Sequence, residues 1–373
     1  MAFFTHFLRD VRQIVNRDAE QHAIPSMDGA LSPNSKLDAC RPIGEPVPQA
    51  DCVAVGGDGS IYVSGGRQVL RLSGQGFSSR SVVAEFADNA GGLAVHPDGR
   101  LLVCVSGRGL AAVDSAGRQA WLTQAEDRPL HCLTDVAATA DGTIFLSEGS
   151  SRNRPEEWCR DLMEKNSLGR LIACGPNFEA PTILLRDLHY PHGLTLSADG
   201  RHLWFTESWS HRVRRAPRQG RGIGAPETVI RNLPGSPARL RPAAAGGYWL
   251  SVFALRTHLI EFVLREDDYR QDMMQTIPQG FWIAPALAAS GHCLEPMQSG
   301  SLKALGIQKP WSPPRSYGLL LRIDEEGDVV ESLHSRVGGL YHGITAACDT
   351  AQGLVIVSKG HGRVLLERLG GGE

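Results

Sequence analysis

The sequence predicts an all-β protein, a six-bladed β-propeller, from three observations. A unit of two short apolar runs joined by an Asp-Gly or Gly turn recurs six times along the 373-residue chain. The clearest turn aspartates, Asp58, Asp98, Asp141 and Asp199, follow one another at intervals of 40, 43 and 58 residues. Propeller blades of four strands repeat at similar spacings. The 42 glycines suit a chain with many tight turns.

Four clear copies of the unit and two degenerate ones make up the repeat. They cover residues 53–63, 93–103, 136–146, 194–205, 240–250 and 344–357. Asp-Gly supplies the positive φ that a tight hairpin needs. A single hairpin cannot bury both of its faces, whereas six radially arranged units bury each other's. A β-sandwich with coincidental Asp-Gly turns is the alternative, but it does not predict the same residue order in every unit.

Two segments do not follow the repeat. Residues 1–44 are expected to form an N-terminal helix and an extended arm packed on the propeller of residues 45–373. Attachment of that helix to a membrane surface is the alternative interpretation. Residues 254–315 interrupt the fifth blade with helix-like and loop-like patterns. Long insertions between blade strands often cover a site, so this helical and loop insertion is the predicted lid.

Composition and the lack of known motifs exclude several functions. The formal net charge of −2 gives no basic face for nucleic acid. The basic run of residues 212–221 predicts an exposed hairpin, or else a phosphate-binding strip. Eight scattered cysteines without a Cys-x-x-Cys pair give no zinc framework. No secretory signal, transmembrane-length apolar run, P-loop, dinucleotide fingerprint or Gly-x-Ser-x-Gly elbow is found, so a cytoplasmic protein is expected. Its oligomeric state stays open.

Two stretches carry a family resemblance. Residues 190–200 (YPHGLTLSADG), followed by Phe205-Thr206-Glu207, resemble the fourth-blade signature of the strictosidine synthase, gluconolactonase and paraoxonase superfamily. Residues 233–240 and 247–250 are similar to the signature of the next blade. The resemblance covers roughly residues 45–368. It implies a six-bladed propeller with a small-molecule site in the central channel, but it does not specify the reaction.

Metal-using members of that superfamily hold a divalent cation in the channel, and the resemblance assigns its ligand positions here. The first-blade Glu corresponds to Asp51, and an Asn-Asp pair corresponds to Thr134-Asp135. An Asn-Gly pair corresponds to His192-Gly193, and an Asp-Asn pair to Ala238-Arg239. The last change removes a carboxylate and adds a permanent cation.

Arg239 therefore argues against a cofactor ion such as calcium, which takes roughly six to eight oxygen ligands. We expect Arg239 to replace the ion, either paired with Asp51 or Asp135 or bound to an oxyanion of the substrate. The alternative is a more zinc-like site formed by Asp51, His192 and His342.

Candidate catalytic residues are those that the inner strands direct to the channel. They are His192, His342, Arg239 and Asp135. The two histidines occupy equivalent places in their repeats, each after Tyr and before Gly, and histidine is a natural proton carrier at neutral pH. Hydrogen-bonded core histidines are the alternative for each of them.

Candidate substrate-binding residues surround them. They are Asp51, Thr134, Glu207 and Trp249. Glu207 either orients His192 or pairs with Arg212, and Trp249 either lines the channel or packs between blades. Three functions stay open: a lactone or ester hydrolase, an amine–aldehyde condensation as in strictosidine synthase, and a ligand-binding propeller without turnover.

Overall fold

Six antiparallel blades, five with four strands and one with five, form the body of the molecule in the computed structural model. The structure describes residues 24–289, 303–304, 307–308 and 315–367. The predicted helix of residues 1–20 and part of the predicted insertion lie outside these residues. The all-β, six-bladed prediction is confirmed.

The strands follow the repeat, and each blade runs from its innermost strand outward. The first strand, β1 (Arg41–Pro42), precedes the first blade. Blade 1 contains β2 (Ala50–Val55), β3 (Ile61–Gly65), β4 (Gln68–Ser73) and β5 (Ser79–Glu85). Blade 2 contains β6 (Ala90–Val95), β7 (Leu101–Val105), β8 (Gly109–Val113) and β9 (Gln119–Leu122), followed by the hairpin β10 (Gln124–Ala125) and β11 (Arg128–Pro129). Blade 3 contains β12 (Leu133–Ala138), β13 (Ile144–Glu148), β14 (Gly169–Cys174) and β15 (Thr182–Leu188).

The second half repeats this pattern. Blade 4 contains β16 (Pro191–Leu196), β17 (His202–Glu207), β18 (Arg212–Gln219), β19 (Gly222–Ile223) and β20 (Glu227–Ile230). Blade 5 contains β21 (Gly235–Pro242), β22 (Tyr248–Leu255) and, after the short strands β23 (Lys303–Ala304) and β24 (Ile307–Gln308), β25 (Gly318–Ile323) and β26 (Val329–Ser335). Blade 6 contains β27 (Ile344–Thr350), β28 (Gly353–Ser358) and β29 (Arg363–Glu367).

Three α-helices and five 3-10 turns lie between or before the strands of the described residues. The α-helices are α1 (Trp158–Met163), α2 (His258–Arg265) and α3 (Asp267–Thr276). The 3-10 turns are Gly29–Leu31, Leu37–Ala39, Gln75–Phe77, Pro155–Glu157 and Gln279–Phe281.

The ring is closed in two ways. The inner strands β2, β6, β12, β16, β21 and β27 contact one another in that order, and β27 contacts β2. In addition, β1 pairs with β29 as the outer strand of blade 6. The arm within residues 1–44 therefore completes a blade, beyond the packing that the sequence predicts.

The Asp-Gly turns have the predicted chemistry. In the first unit, Gly59 adopts φ +78°, and the Asp58 carboxylate accepts the Ser60 N–H at 3.1 Å. The same bond to the residue two positions on forms at Asp98, Asp141 and Asp199. Each aspartate thus fixes its own hairpin locally, which explains why the turns are recognisable in the sequence.

Apolar faces of neighbouring blades form the core. The largest cluster joins blades 1, 2 and 6 through buried Val, Leu and Ile side chains such as Val53, Leu93 and Val357. A separate apolar cluster lies outside the blades, where Met163 of α1 packs with Val263, Met273 and Trp282. Seven cysteines among the described residues are free and buried.

Candidate functional site

Bulges at the start of the inner strands direct polar side chains to the channel. The register shifts lie between Ala50 and Cys52, Ala90 and Leu93, Leu133 and Asp135, Pro191 and Leu194, Pro237 and Leu240, and Ile344 and Ala346. A bulge leaves a residue out of the ladder and re-aims its side chain. The residues so released include Asp51, Thr134, His192, Arg239 and Thr345.

Arg239 lies at the junction of four blades, and protein oxygens accept from both of its terminal nitrogens. Nη2 donates to Asp51 Oδ2 at 2.6 Å and to the Thr134 carbonyl at 2.6 Å. Nη1 donates to the Asp51 carbonyl at 2.8 Å and to the Thr345 carbonyl at 3.5 Å. Nε lies 3.4 Å from Asp135 Oδ1. The ion pairs expected from the sequence are present, and they leave Arg239 no free terminal N–H for a substrate oxyanion.

Burial and charge act in opposite directions on this cluster. Burial alone lowers the pKa of Arg239, but the negative charge of Asp51 outweighs it and the pKa is raised. Burial alone raises the pKa of Asp51, but Arg239 and Lys359 outweigh it and the pKa is lowered. Both groups therefore stay charged over the whole physiological range.

Lys359, just after β28, is a second cation on Asp51. Its Nζ donates to Asp51 Oδ1 at 2.6 Å. The Lys359 side chain is 28% exposed, whereas that of Arg239 is 1% exposed. One oxygen of the Asp51 carboxylate thus binds the buried cation Arg239. The other binds the partly exposed cation Lys359, which lines the pocket. Lys359 was not among the residues predicted from the sequence.

Asp135 lies behind Arg239 and does not line the pocket. Arg241 binds it through two bonds, at 2.7 Å to Oδ1 and 2.8 Å to Oδ2, and the Leu194 N–H donates to Oδ2 at 3.1 Å. The carboxylate is fully buried. The sequence correctly places Asp135 near the axis, but the structure gives it a supporting position under Arg239 instead of access to a ligand.

Thr134 lines the pocket, yet its side chain joins two blades. Its hydroxyl donates to the Pro191 carbonyl at 2.8 Å and lies 2.9 Å from Ser147 Oγ. Its carbonyl accepts from Arg239. Through these bonds Thr134 fixes the position of the cation, and its hydroxyl is committed to the protein.

His192 lines the pocket with no hydrogen-bond partner on its ring among the described residues, and its Nδ1 is buried. The ring contacts Phe253 at a centroid distance of 5.1 Å and Tyr190 at 6.0 Å, both edge-on. Burial first, and then the charge of Arg239, lower its pKa well below the ordinary 6.5. His192 is therefore a neutral imidazole available to a bound molecule.

His342 is not brought to this pocket, although its repeat position matches that of His192. Its Nδ1 lies 2.8 Å from Ser316 Oγ and its Nε2 lies 3.0 Å from the Arg336 carbonyl. Its ring stacks on Tyr317 at 6.4 Å. The prediction of two equivalent channel histidines is wrong for His342. Hydrogen bonds to Ser316 and to the Arg336 carbonyl hold its ring as a buried core group.

Glu207 and Trp249 also lie away from the pocket. The fully buried Glu207 carboxylate binds Arg212 at 2.8 Å and accepts the His189 N–H at 3.0 Å, so it pairs with the arginine and does not orient His192. Trp249 packs between blades 5 and 6, and its Nε1 donates to Asp349 at 3.0 Å. Both predicted substrate contacts are thus structural.

The pocket itself has an empty volume of about 560 Å³, including its mouth. Its polar lining residues include Asp51, Arg239, His192 and Lys359, together with Asn89, Ser106, Thr134, Glu156 and Thr345. Most of the other lining residues are apolar, and they include Ala90, Gly91, Leu133, Trp158, Phe253 and Leu287. A polar floor under an aromatic wall suits a small organic ligand.

Two insertions supply the outer part of the wall. Trp158 comes from the segment between β13 and β14, and Leu287 from the segment between β22 and β25. The segments pack together through Met163 and Trp282. A described part of the predicted 254–315 insertion thus borders the pocket. The insertion of blade 3 was not predicted, although the 58-residue interval between turn aspartates signalled extra residues there.

With this geometry described, the chain can be compared with known proteins. A family model described as strictosidine synthase matches residues 134–219. Adipocyte plasma membrane-associated protein of Salmo salar is 25% identical over 300 residues, 72% of each chain. Protein STRICTOSIDINE SYNTHASE-LIKE 6 of Arabidopsis thaliana is 29% identical over 177 residues, 46% of this chain and 47% of that one. Over these stretches the chain is similar to strictosidine synthase-like proteins.

The likeness extends to solved structures of the same fold. A gluconolactonase from Xanthomonas campestris superimposes with a TM-score of 0.58 at 13% identity, covering 91% of this chain and 94% of that chain. This agreement shows the shared six-bladed fold. No described helix of the chain has the length and apolar character that crossing a bilayer requires.

The channel residues of this propeller do not fit a divalent ion. Arg239 and Lys359 occupy both oxygens of Asp51. A guanidinium and an ammonium there would repel a divalent cation. The alternative zinc-like set is not assembled either, since both ring nitrogens of His342 bind protein oxygens elsewhere. Among the described residues no three His, Cys, Asp or Glu side chains converge as metal ligands.

Proposed function

We propose that this propeller hydrolyses a lactone or a related ester of a small molecule in its channel, without a bound metal ion. One observation carries the proposal: His192, neutral and without a ring partner among the described residues, lines the same pocket as the Asp51-bound Lys359. A proton acceptor and a fixed positive charge are the two groups that acyl transfer to water requires.

His192 acts as the general base. Its ring takes a proton from a water molecule whose oxygen attacks the carbonyl carbon, and the carbonyl π electrons move to the oxygen. When the tetrahedral intermediate collapses, the carbon–oxygen bond to the alcohol breaks and the proton returns from His192 to the departing oxygen. The products are a carboxylic acid, which ionises, and an alcohol.

Lys359 stabilises the negative charge that develops on the carbonyl oxygen. Asp51 positions its ammonium, and the Arg239 guanidinium holds Asp51 from the opposite side. This arrangement revises the role expected of Arg239 from the sequence. The guanidinium supports the site, while the partly exposed ammonium contacts the reacting group. Such preorganised charge costs little reorganisation during the reaction.

The comparisons give this proposal limited support. The Xanthomonas campestris structure is described as a gluconolactonase, and lactone opening is the reaction proposed here. The absence of a nucleophile elbow in the sequence agrees with attack by water in place of a serine. The cytoplasmic location expected from the sequence stays a prediction, and the named relative from Salmo salar is described as plasma membrane-associated.

A second candidate is the condensation of an amine with an aldehyde. Glu156 at the pocket mouth favours it, because this carboxylate lies in the same wall as Trp158 and could receive a substrate ammonium. Asn89 and Ser106 hold the carboxylate at 2.7 Å each. The family model that matches residues 134–219 points in the same direction.

A substrate panel separates these functions. Purified protein is assayed with lactones, aryl esters and amine–aldehyde pairs, with His192→Gln as the matched variant. The hydrolase proposal predicts turnover of a lactone or ester that His192→Gln reduces by about 10²–10⁴. Turnover of amine–aldehyde pairs alone would favour condensation. No turnover, combined with a ligand that raises the melting temperature, would favour a binding protein.

A further inference from the structure

The charged groups around the channel floor do not balance. Asp51 and Asp135 are the carboxylates, and Arg239, Arg241 and Lys359 are the cations that bind them. His192 adds no charge, because its pKa lies well below 6.5. The cluster therefore carries one net positive charge in a largely buried setting. An unbalanced charge there favours an anionic ligand.

The excess charge is accessible at one place. Arg239 and Arg241 donate to protein oxygens and are 1% and 15% exposed at their side chains. Lys359 is 28% exposed, and Asp51 Oδ1 is its acceptor among the described residues. Lys359 also lines the pocket. The unpaired ring of His192 lines the same space.

The pocket also sets the shape of the ligand. Trp158 and Phe253 meet edge to face at 5.3 Å and form an aromatic wall with His192. Leu287 adds an aliphatic surface from the other insertion. The carboxylate Glu156 lies at the exposed mouth, where it disfavours a second anionic group. A ligand with one deep anion and a compact apolar body satisfies these conditions.

We propose that the channel is a binding site for small monocarboxylates with an aromatic or branched apolar body, whose carboxylate binds Lys359. As a statement about the reaction product this rests on the proposed function, because ester hydrolysis leaves a carboxylate where the oxyanion developed. The binding site itself can be tested without turnover. Carboxylates of this class should also inhibit the hydrolysis competitively.

The test is calorimetric titration of the full chain with benzoate and phenylacetate, and with benzamide and benzylamine as neutral and cationic counterparts. Benzoate or phenylacetate is expected to bind, with benzamide at least about tenfold weaker and benzylamine weaker still. Lys359→Met should reduce carboxylate affinity about tenfold or more, and Lys359→Arg should keep most of it. Lys36→Met, on the outer surface, is the matched control.

The outcomes are distinct. Equal affinity for benzoate and benzamide, a preference for benzylamine, or unchanged benzoate binding by Lys359→Met would overturn the inference. The comparison of benzoate with benzamide uses the wild-type chain and holds even if a variant does not fold. Carboxylate binding without hydrolysis of any ester supports this inference and contradicts the proposed hydrolase. Ester hydrolysis without carboxylate binding supports the proposed hydrolase and contradicts this inference.

Discussion

Arg239 of blade 5 reaches across the channel to Asp51 of blade 1, and its Nη2 lies 2.6 Å from Asp51 Oδ2. The two side chains are 1% and 8% exposed. This pair places a permanent positive charge at the centre of the ring. Thr134 and Thr345 of two further blades accept from the same guanidinium through their carbonyls. Arg239 therefore links four blades at one point.

Replacing Arg239 by Met should lower the free energy of unfolding by about 3–5 kcal/mol, because Asp51 and Asp135 would keep buried charges with fewer partners. Denaturant unfolding followed by circular dichroism measures this. Arg118→Met is the control, since Arg118 forms an exposed pair with Asp114 and should change stability by less than about 1 kcal/mol. A loss at Arg239 no larger than the loss at Arg118 would show that the guanidinium does not hold the channel together.

The two histidines should separate activity from stability. His192→Gln removes the proposed base, so we expect kcat/KM for an accepted ester to fall by about 10²–10⁴ with little change in melting temperature. His342→Gln disturbs two buried hydrogen bonds, to Ser316 and to the Arg336 carbonyl, so the melting temperature should fall. Steady-state kinetics and thermal melts of both variants measure the changes in kcat/KM and in melting temperature. Full activity in His192→Gln would remove that residue as the base.

The acid limb of the pH–rate profile should lie below pH 6.5. The pKa of folded His192 is well below that ordinary value, so the base stays neutral as pH falls through 6.5. The measurement is kcat/KM between pH 4 and pH 8 at constant ionic strength, at about unit intervals. An acid limb at or above pH 6.5 would contradict a buried, neutral His192.

Stability should also depend on pH through the histidines. In the unfolded chain a histidine takes up a proton near pH 6.5, whereas folded His334 does so near pH 4. The unfolded state therefore binds more protons between these values. Stability is complete above pH 6.5 and is lost as pH falls, by up to about 1.4 kcal/mol per pH unit for each such group. Denaturant unfolding at pH 7 and about pH 5 should show His334→Phe with a smaller loss than wild type; an equal loss would contradict this assignment.

Gly360 packs directly against the segment that contains Leu287, so a larger residue at this position would clash with it. A Cβ at Gly360 would lie 2.0 Å from the Leu287 carbonyl oxygen and 2.8 Å from the His342 carbonyl oxygen. Gly360→Ala should displace this segment, raise KM and cost about 1–3 kcal/mol. Gly280→Ala in the same insertion is the matched control, because no atom lies within 4 Å of its added Cβ. Equal KM values for the two variants would show that the segment does not shape the pocket.

The fold was predictable because its signals are local. Each Asp-Gly turn, such as Asp58-Gly59, fixes one hairpin through its own side chain, so the blades can be counted from the sequence. The inner-strand positions Asp51, Thr134 and Arg239 were predicted from the family resemblance, which assigns channel positions to them. Side-chain contacts between residues distant in sequence could not be predicted in this way. The repeat places His342 level with His192, but Ser316 and Arg336 hold its ring away from the pocket.

The missed site residues lie outside the repeat or carry no motif of their own. Trp158 belongs to an insertion in blade 3. The long interval between turn aspartates indicated that residues were inserted there, but it did not indicate that they border the pocket. Lys359 stands in a glycine-rich stretch, residues 359–362, that lacks P-loop spacing, so no motif placed its ammonium on Asp51. That contact depends on the closing of the ring between blades 6 and 1.

We propose that Arg239 and Lys359 take the place of a divalent ion in the channel. The most direct test measures ester or lactone hydrolysis by the purified chain before and after exhaustive chelation with EDTA, followed by addition of calcium. We predict the same kcat/KM in all three states, with Lys359→Met reduced by about 10²–10³ in each. Activity that disappears with EDTA and returns with calcium would contradict the account.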